Sequence, residues 1–448
     1  MDKIFMQKTS KKTFIDYMQT NEFLKNPLVF SKAKGVYLWD VDGKKYFDGI
    51  GGIFVATLGH CHPRLVEAMK RQMEKMTFCP PLHSVSDITL ELVDKIGTLT
   101  PENLNFVKTY SGGSESIESA FKFSRQYHRQ SGNPSKMKTI CHYLSYHGAT
   151  FATMAAGGQA LRYRYDPAMS GFLKVPSPKQ LRDDFPTWEE TCRYAAMMVR
   201  RTIEFENPET VGAYIVEPIC NIAGMIIPTE EFFQIVRKAC DDYNVIMIAD
   251  EVLTGWCKTG AFFALQTFGI TPDIICSGKG LSSGMMPLGA MIAREDMGNM
   301  FLGNEEDGVH FAHGHSFANF PLGSAVALEA IAVMEEEKLY DRALLIGEYL
   351  LSRFNKLKER FGVVREVRGR GALVCLEFMK DEKTKSPYPE LGRAFKLCSV
   401  KNGLIVRCDH EWFSVAPPLI STDEELRELC DLVEKSFADA LDMVTAQK

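Results

Sequence analysis

Two polar residues stand where apolar runs end. Asp250 closes the run in "NVIMIADEV", and Lys279 follows the run in "DIICSGKG", twenty-nine positions later. Charged side chains are seldom placed inside a protein without a partner. If the two runs are neighbouring strands ending on the same edge of a sheet, carboxylate and amine share one cleft. They could form a simple ion pair. They are also the pair that pyridoxal 5'-phosphate requires: an amine that bonds its aldehyde, and a carboxylate that keeps its pyridine nitrogen protonated. The glycines around Lys279 suggest a phosphate loop instead, but GxxxxGK[ST] needs Gly at 273 and Ser or Thr at 280. The chain has Asp273 and Gly280, so that reading fails.

A phosphate site is more plausible upstream. In "TYSGGSESIE", Gly112 and Gly113 allow close backbone approach, and Ser114 opens a helical pattern whose first amides favour an anion. Gly-Ser before a helix is often only a cap. "SYHGAT" offers Tyr146 as a flat partner for a ring, although a lone Tyr before Gly is more often packing.

The elements that must hold these residues follow from periodicity. "VGAYIVEP" (211–218), "NVIMIADEV" (244–252) and "DIICSG" (273–278) read as buried strands, with helical "EEFFQIVRKACDDY" (230–243) between the first two. Strand–helix alternation predicts an α/β domain with a mainly parallel sheet, which binds ligands at its carboxyl edge. "HPRLVEAMKRQMEKM" (62–76) and "SESIESAFKFSRQYHRQ" (114–130) read as helices, and "GVYLWDVDGKKYFDGI" (35–50) as a hairpin about Asp42-Gly43. A long helical pattern spans 322–358. Strands at 363–379 and 403–419 and a capped helix at 422–441 predict a smaller α+β domain. The expected division is an N-terminal segment 1–55 joining the small domain, a large domain 56–332 and a C-terminal small domain 333–448.

Composition narrows the classes. With 52 basic against 57 acidic residues the net charge is −5, and no basic arm suggests a nucleic-acid partner. No stretch approaches the ~20 apolar residues of a membrane helix. The N-terminus lacks an apolar h-region, and the twelve scattered cysteines form no CxxC pair. Buried free thiols in a cytoplasmic protein are the expectation. His310, His313 and His315 in "HFAHGH" lack a fourth ligand at recognisable spacing, so no metal is expected.

In order and spacing, "YLWDVDGKKYFDGIGG", "LGHCHP", "SGGSESIESAFKFSR", "YHGAT", "EPI", "ADEVLTGWCKTG", "SGKGLSSGMMPLGA", "HGHSFANFPLGSA" and "VAPPLIST" resemble the class III (omega-) aminotransferases of pyridoxal-phosphate fold type I. The resemblance runs along nearly the whole chain. It implies that Lys279 bonds the cofactor and Asp250 partners its ring nitrogen. Val252 and Tyr146 would flank the ring, Gly113 and Ser114 would cradle the phosphate, and Glu217 would lie nearby. Ser316 matches the residue that reaches the phosphate from a neighbouring subunit, which implies a homodimer, or a tetramer built of dimers, with shared sites. "GLIVRCDHEWFSVAPPL" resembles the amine:pyruvate-type members, where Arg407 would grip the 2-keto acid's carboxylate and Phe54 would line the substrate pocket.

The implied reaction moves an amino group from an amine or omega-amino acid to a 2-keto acid, pyruvate foremost, in ping-pong order. Relatives on this fold also include racemases, aminomutases and a decarboxylating transaminase. Two departures stand out. The common "TGFGRTG" is here "TGWCKTG", with Trp256, Cys257 and Lys258, and "SGHP" is "ANFP", with Asn319 and Phe320. Both are expected near the entrance and the subunit contact, where they would alter substrate range.

Overall fold

A computed structural model describes residues 3–101 and 103–446; the outermost residues of the expected terminal segments lie outside the described residues. A seven-stranded sheet is ordered Leu104–Tyr110, Gly289–Arg294, Ile274–Ser277, Ile246–Asp250, Val211–Val216, Lys138–His142, Phe172–Val175. Its last five strands are parallel, and Gly289–Arg294 runs antiparallel to both its neighbours. The mainly parallel α/β expectation therefore holds.

The sheet is covered on both faces, which explains why its strands read as unbroken apolar runs. Along Ile246–Asp250, alternate side chains enter different cores. Ile246 and Ile248 pack with Ile117, Ala120 and Phe121 of helix Gly113–Gln130. Met247 and Ala249 belong to the larger core, with Val199 and Ile203 of helix Trp188–Phe205 and Phe233 and Val236 of helix Glu230–Asp242. No helix among the described residues is long and apolar enough to cross a membrane.

The C-terminal segment builds a four-stranded antiparallel sheet, Val364–Arg370, Leu373–Phe378, Trp412–Val415, Arg407–Cys408. Helix Asp423–Thr445 packs behind it and starts with a capping box between Thr422 and Glu425. The expected hairpin is present as Tyr37–Asp40 and Lys45–Asp48. Leu404 and Ile405 pair in parallel with Phe47 and Asp48, tying the N-terminal strands to the C-terminal segment. The helical pattern at 322–358 is two helices, Pro321–Glu336 and Leu339–Arg360, broken where Lys338 adopts φ +47°. Of the twelve cysteines all are free and nine are buried, as expected of packed thiols.

A buried charge cluster joins the C-terminal sheet to the large one. Glu377 accepts from Lys179 at 2.6 Å, Arg182 at 3.1 Å and Arg368 at 2.5 Å. Burial alone would raise its pKa, but Arg368, Lys179 and Arg182 hold it down at about 2. Glu377→Gln leaves these cations under-paired in a dry site and is expected to cost ~3–5 kcal/mol, read as a lower urea midpoint. The folded value lies below glutamate's ordinary 4.5. The carboxylate's contribution is thus complete above that value and is lost as pH falls from there towards 2.

Candidate active site

The carboxyl edge of the sheet gathers the candidate residues. Asp250 pairs with Cys276 in the parallel register, so Lys279 leaves the neighbouring strand beside it. The Asp250 carboxylate is fixed at both oxygens. Oδ1 accepts the Val252 amide at 3.1 Å, and Oδ2 stands 2.8 Å from His147 Nδ1. His147 is fully buried, and its Nε2 has no partner among the described residues. Sequence reading passed over His147, although it sits next to Tyr146. Its partner is 103 residues away.

Helix Gly113–Gln130 starts against this edge with no side chain capping it. A Cβ on Gly113 would stand 2.6 Å from Val252 Cγ1, and one on Gly278 would meet the Gly113 amide at 3.3 Å. Gly113 thus leaves room for the Val252 side chain, and Gly278 leaves room for the Gly113 backbone. Ser114 Oγ accepts the Ala149 amide at 3.1 Å, tying the loop of Tyr146 and His147 to the helix start. The Tyr146 amide donates to Glu217 Oε1 at 3.0 Å.

Electrostatics mark the same place. Burial lowers the Lys279 pKa, while the charges of Asp250 and Glu217 oppose the shift. Among the described residues no carboxylate lies within 4.0 Å of its Nζ, so the lysine is not neutralised by direct contact. Burial raises Glu217 to about 7, with His147 opposing the change. Tyr146 is also raised, by burial first and then by the Tyr17 hydroxyl. Lys279 has φ +42°, and Phe54, Trp256, Cys257 and Ser283 share the left-handed region. Such strain in non-glycine residues concentrates where function fixes the backbone.

Other candidates lie further out. Arg407 is half-buried, 5.9 Å from the Trp412 ring centroid, with its nearest carboxylate, Asp409, at 4.0 Å. Phe54 is only 2% exposed and packs with Ile219, Leu253 and Trp412. Ser316 is exposed in the loop after His315. His313 and His315 both stack on Tyr110. Among the described residues no three His, Cys, Asp or Glu side chains group as metal ligands.

One expectation is overturned. Trp256, Cys257 and Lys258 are not at an entrance: all three are buried. The Trp256 indole donates to Ser277 Oγ at 2.8 Å, and the Lys258 carbonyl accepts the Ala372 amide at 2.9 Å. The segment wedges between the Lys279 strand and the C-terminal sheet, where an aromatic ring and an aliphatic stem fill core. Asn319 is half-buried, and its amide donates to Thr109 Oγ1 at 3.2 Å.

The donor set fits pyridoxal phosphate: helix amides without a side-chain cap for an anion, a buried strand-end carboxylate and a half-buried lysine beside it. Residues 18–437 match the model of the family described as aminotransferase class-III. The chain belongs to the class-III aminotransferases. It is 31% identical to a putrescine–pyruvate aminotransferase of Pseudomonas aeruginosa, over 94% of this chain and 92% of that one. A thermostable (S)-enantioselective omega-transaminase from Thermomicrobium roseum superposes with TM-score 0.93 at 30% identity, covering 98% of this chain and 99% of the other. The omega-transaminase of Pseudomonas jessenii, solved in complex with PMP, gives 0.92 at 29% identity and 98% coverage of each. The aminotransferase is thus a fold-type-I α/β enzyme, as its motifs implied.

Proposed function

We propose that this aminotransferase uses pyridoxal 5'-phosphate to move an amino group from an amine or omega-amino acid to a 2-keto acid, pyruvate foremost, in ping-pong order. The observation that carries the reading is the buried Asp250 carboxylate beside the half-buried Lys279 at one sheet edge. When bound, the cofactor supplies an aldehyde that accepts the amino group and a ring that takes up the electrons left on the substrate carbon.

The chain's own residues do the rest. Asp250, fixed by His147 and the Val252 amide, holds a proton at the pyridine nitrogen. The amides at Gly113 and Ser114, with the Ser114 hydroxyl, would hold the phosphate. Val252 and Tyr146 would flank the ring, and Glu217 orients the Tyr146 loop. Lys279, lowered by burial, moves a proton to and from the substrate carbon. Phe54 contributes to an apolar pocket wall. Ser316 of a second copy completes the phosphate site in a homodimer or a dimer-based tetramer. Supporting pyruvate as acceptor, the Pseudomonas aeruginosa relative is named for it.

Arg407 has few fixed partners, so its guanidinium is free to meet a carboxylate in two-pronged fashion. Arg407→Ala is expected to raise KM for pyruvate ~10–100-fold, the loss of a charge-assisted hydrogen bond. Half-reaction rates with an uncharged aryl amine should barely change. Equal losses for both substrates would remove Arg407 from this role. A donor screen with pyruvate and 2-oxoglutarate tests the whole reading. Alanine should accumulate with pyruvate. A racemised amine without alanine would assign the site to other chemistry on the same cofactor.

A further inference from the structure

Asp48 is a buried carboxylate outside the site described above. It ends strand Lys45–Asp48 and is 0% exposed. Its Oδ2 accepts the Gly52 amide at 2.7 Å and stands 2.7 Å from His60 Nε2. Its Oδ1 accepts the Ile50 amide at 3.4 Å. The His60 backbone is fixed in turn: it exchanges two hydrogen bonds with Gly35, at 2.8 Å and 2.9 Å. A buried charge is costly unless it is hydrogen-bonded. The donors that satisfy this one lie on, or just after, a single segment, residues 49–58.

That segment is strained. Gly51 has φ +55°, Gly52 +76° and Phe54 +66°. It packs against a second strained segment, the turn after the Lys279 strand, where Lys279 has φ +42°, Ser283 +48° and Gly284 +75°. The Leu58 amide donates to Ser283 Oγ at 2.8 Å. A Cβ on Gly280 would stand 2.8 Å from Thr57 Oγ1 and 2.7 Å from Lys258 Nζ, and one on Gly284 would stand 3.0 Å from Val55 Cγ1. Glycine would suit the backbone at 283. Serine adds the hydroxyl that takes the Leu58 amide. On its other side the segment is tied to the C-terminal chain: the Gly49 and Thr57 carbonyls accept the Ala416 and Leu419 amides, both at 2.8 Å. Left-handed non-glycine residues persist only where their surroundings over-determine them. Each of these segments supplies that surrounding for the other.

We propose that Asp48 and His60 are positioning residues: they pin segment 49–58 against the Lys279–Gly284 turn and so fix where the Lys279 amine stands. This rests on the reading of Lys279 as the amine that bonds the cofactor. Among the described residues neither side chain bonds to Lys279 or Asp250, so the effect passes through Ser283 and its turn. The physical reason is that a reacting group displaced by ~1 Å can lose ~10²-fold in rate.

The test follows backbone hydrogen exchange by mass spectrometry in the full chain, with and without pyridoxal phosphate, beside steady-state turnover. His60→Leu removes the ring N–H, and His60→Gln offers an amide N–H in its place. Ser283→Ala cuts the link from the side of the turn. His60→Leu should speed exchange ~10-fold both at 49–58 and at 279–286, while strand Lys138–His142 stays as in the wild type. It should lower kcat ~10-fold and leave KM for pyruvate nearly unchanged. His60→Gln should restore most of both. Ser283→Ala should speed exchange in the same two stretches, and it carries the comparison if His60→Leu does not fold. Wild-type exchange at 279–286, or a rise that extends equally to Lys138–His142, overturns the proposal. If pyridoxal phosphate gives the wild type no lysine-bound absorption band, the cofactor reading fails. Exchange in the cofactor-free chain still decides whether Asp48 and His60 hold the turn.

Discussion

Lys279→Ala should abolish turnover, with a fall of at least ~10³-fold in the rate of amine consumption, since one side chain serves as both nucleophile and general base. The geometry isolates this effect. Lys279 makes no ion pair within 4.0 Å among the described residues, so its removal leaves no bare carboxylate behind. Asp250 keeps both of its own partners, His147 and the Val252 amide. The uncapped helix amides are untouched. The variant should therefore still bind pyridoxal phosphate, as a free aldehyde without the lysine-bound absorption band. A small exogenous amine should restore part of the proton transfer, because what is missing is a base and not a binding surface. Retained turnover in the alanine variant would refute the assignment of the lysine.

The two residues to which most of the proposed chemistry is assigned were legible in the sequence for a physical reason. A charged residue after a buried strand is an exception to burial, and two such exceptions on adjacent strands converge at one edge. The parallel part of the sheet was legible for a related reason: strands buried on both faces read as continuous runs. Gly289–Arg294 was not. Its residues are apolar enough for a strand, but its antiparallel direction depends on the path of the chain through Lys279–Met286, and periodicity carries no direction. The break at Lys338 does leave a trace in the sequence: after the charged "EEEK" the buried positions resume at Leu339, five residues beyond Met334, which is a shift of helical phase. His147 and Lys258 were missed or misplaced for a third reason. Their contacts are with Asp250 and with the space behind Gly280, on segments remote in sequence. A motif comparison shows that "TGWCKTG" departs from the common pattern. Only packing shows that the departure faces inwards.

Asp250→Asn should reduce turnover ~10²–10⁴-fold while preserving fold and cofactor binding, because it removes charge and keeps shape. Asparagine's carbonyl can still accept from either His147 Nδ1 or the Val252 amide, which now stand 2.8 Å and 3.1 Å from the two carboxylate oxygens. What it cannot do is hold a proton on a pyridine nitrogen, since an amide offers no negative charge to a pyridinium. The ring would stay neutral, and a neutral ring takes up electrons from the substrate carbon far less readily. The loss should therefore fall on the step that breaks the carbon–hydrogen bond, visible as a larger kinetic isotope effect with a deuterated donor, and KM should move little. His147→Gln makes a graded control. It keeps the carboxylate but removes the ring that fixes one of its oxygens, so its loss should be smaller and on the same step. If Asp250→Asn instead weakened pyruvate binding and left the isotope effect unchanged, the carboxylate would belong to substrate recognition. The pairing of Asp250 with Lys279 would then need another explanation.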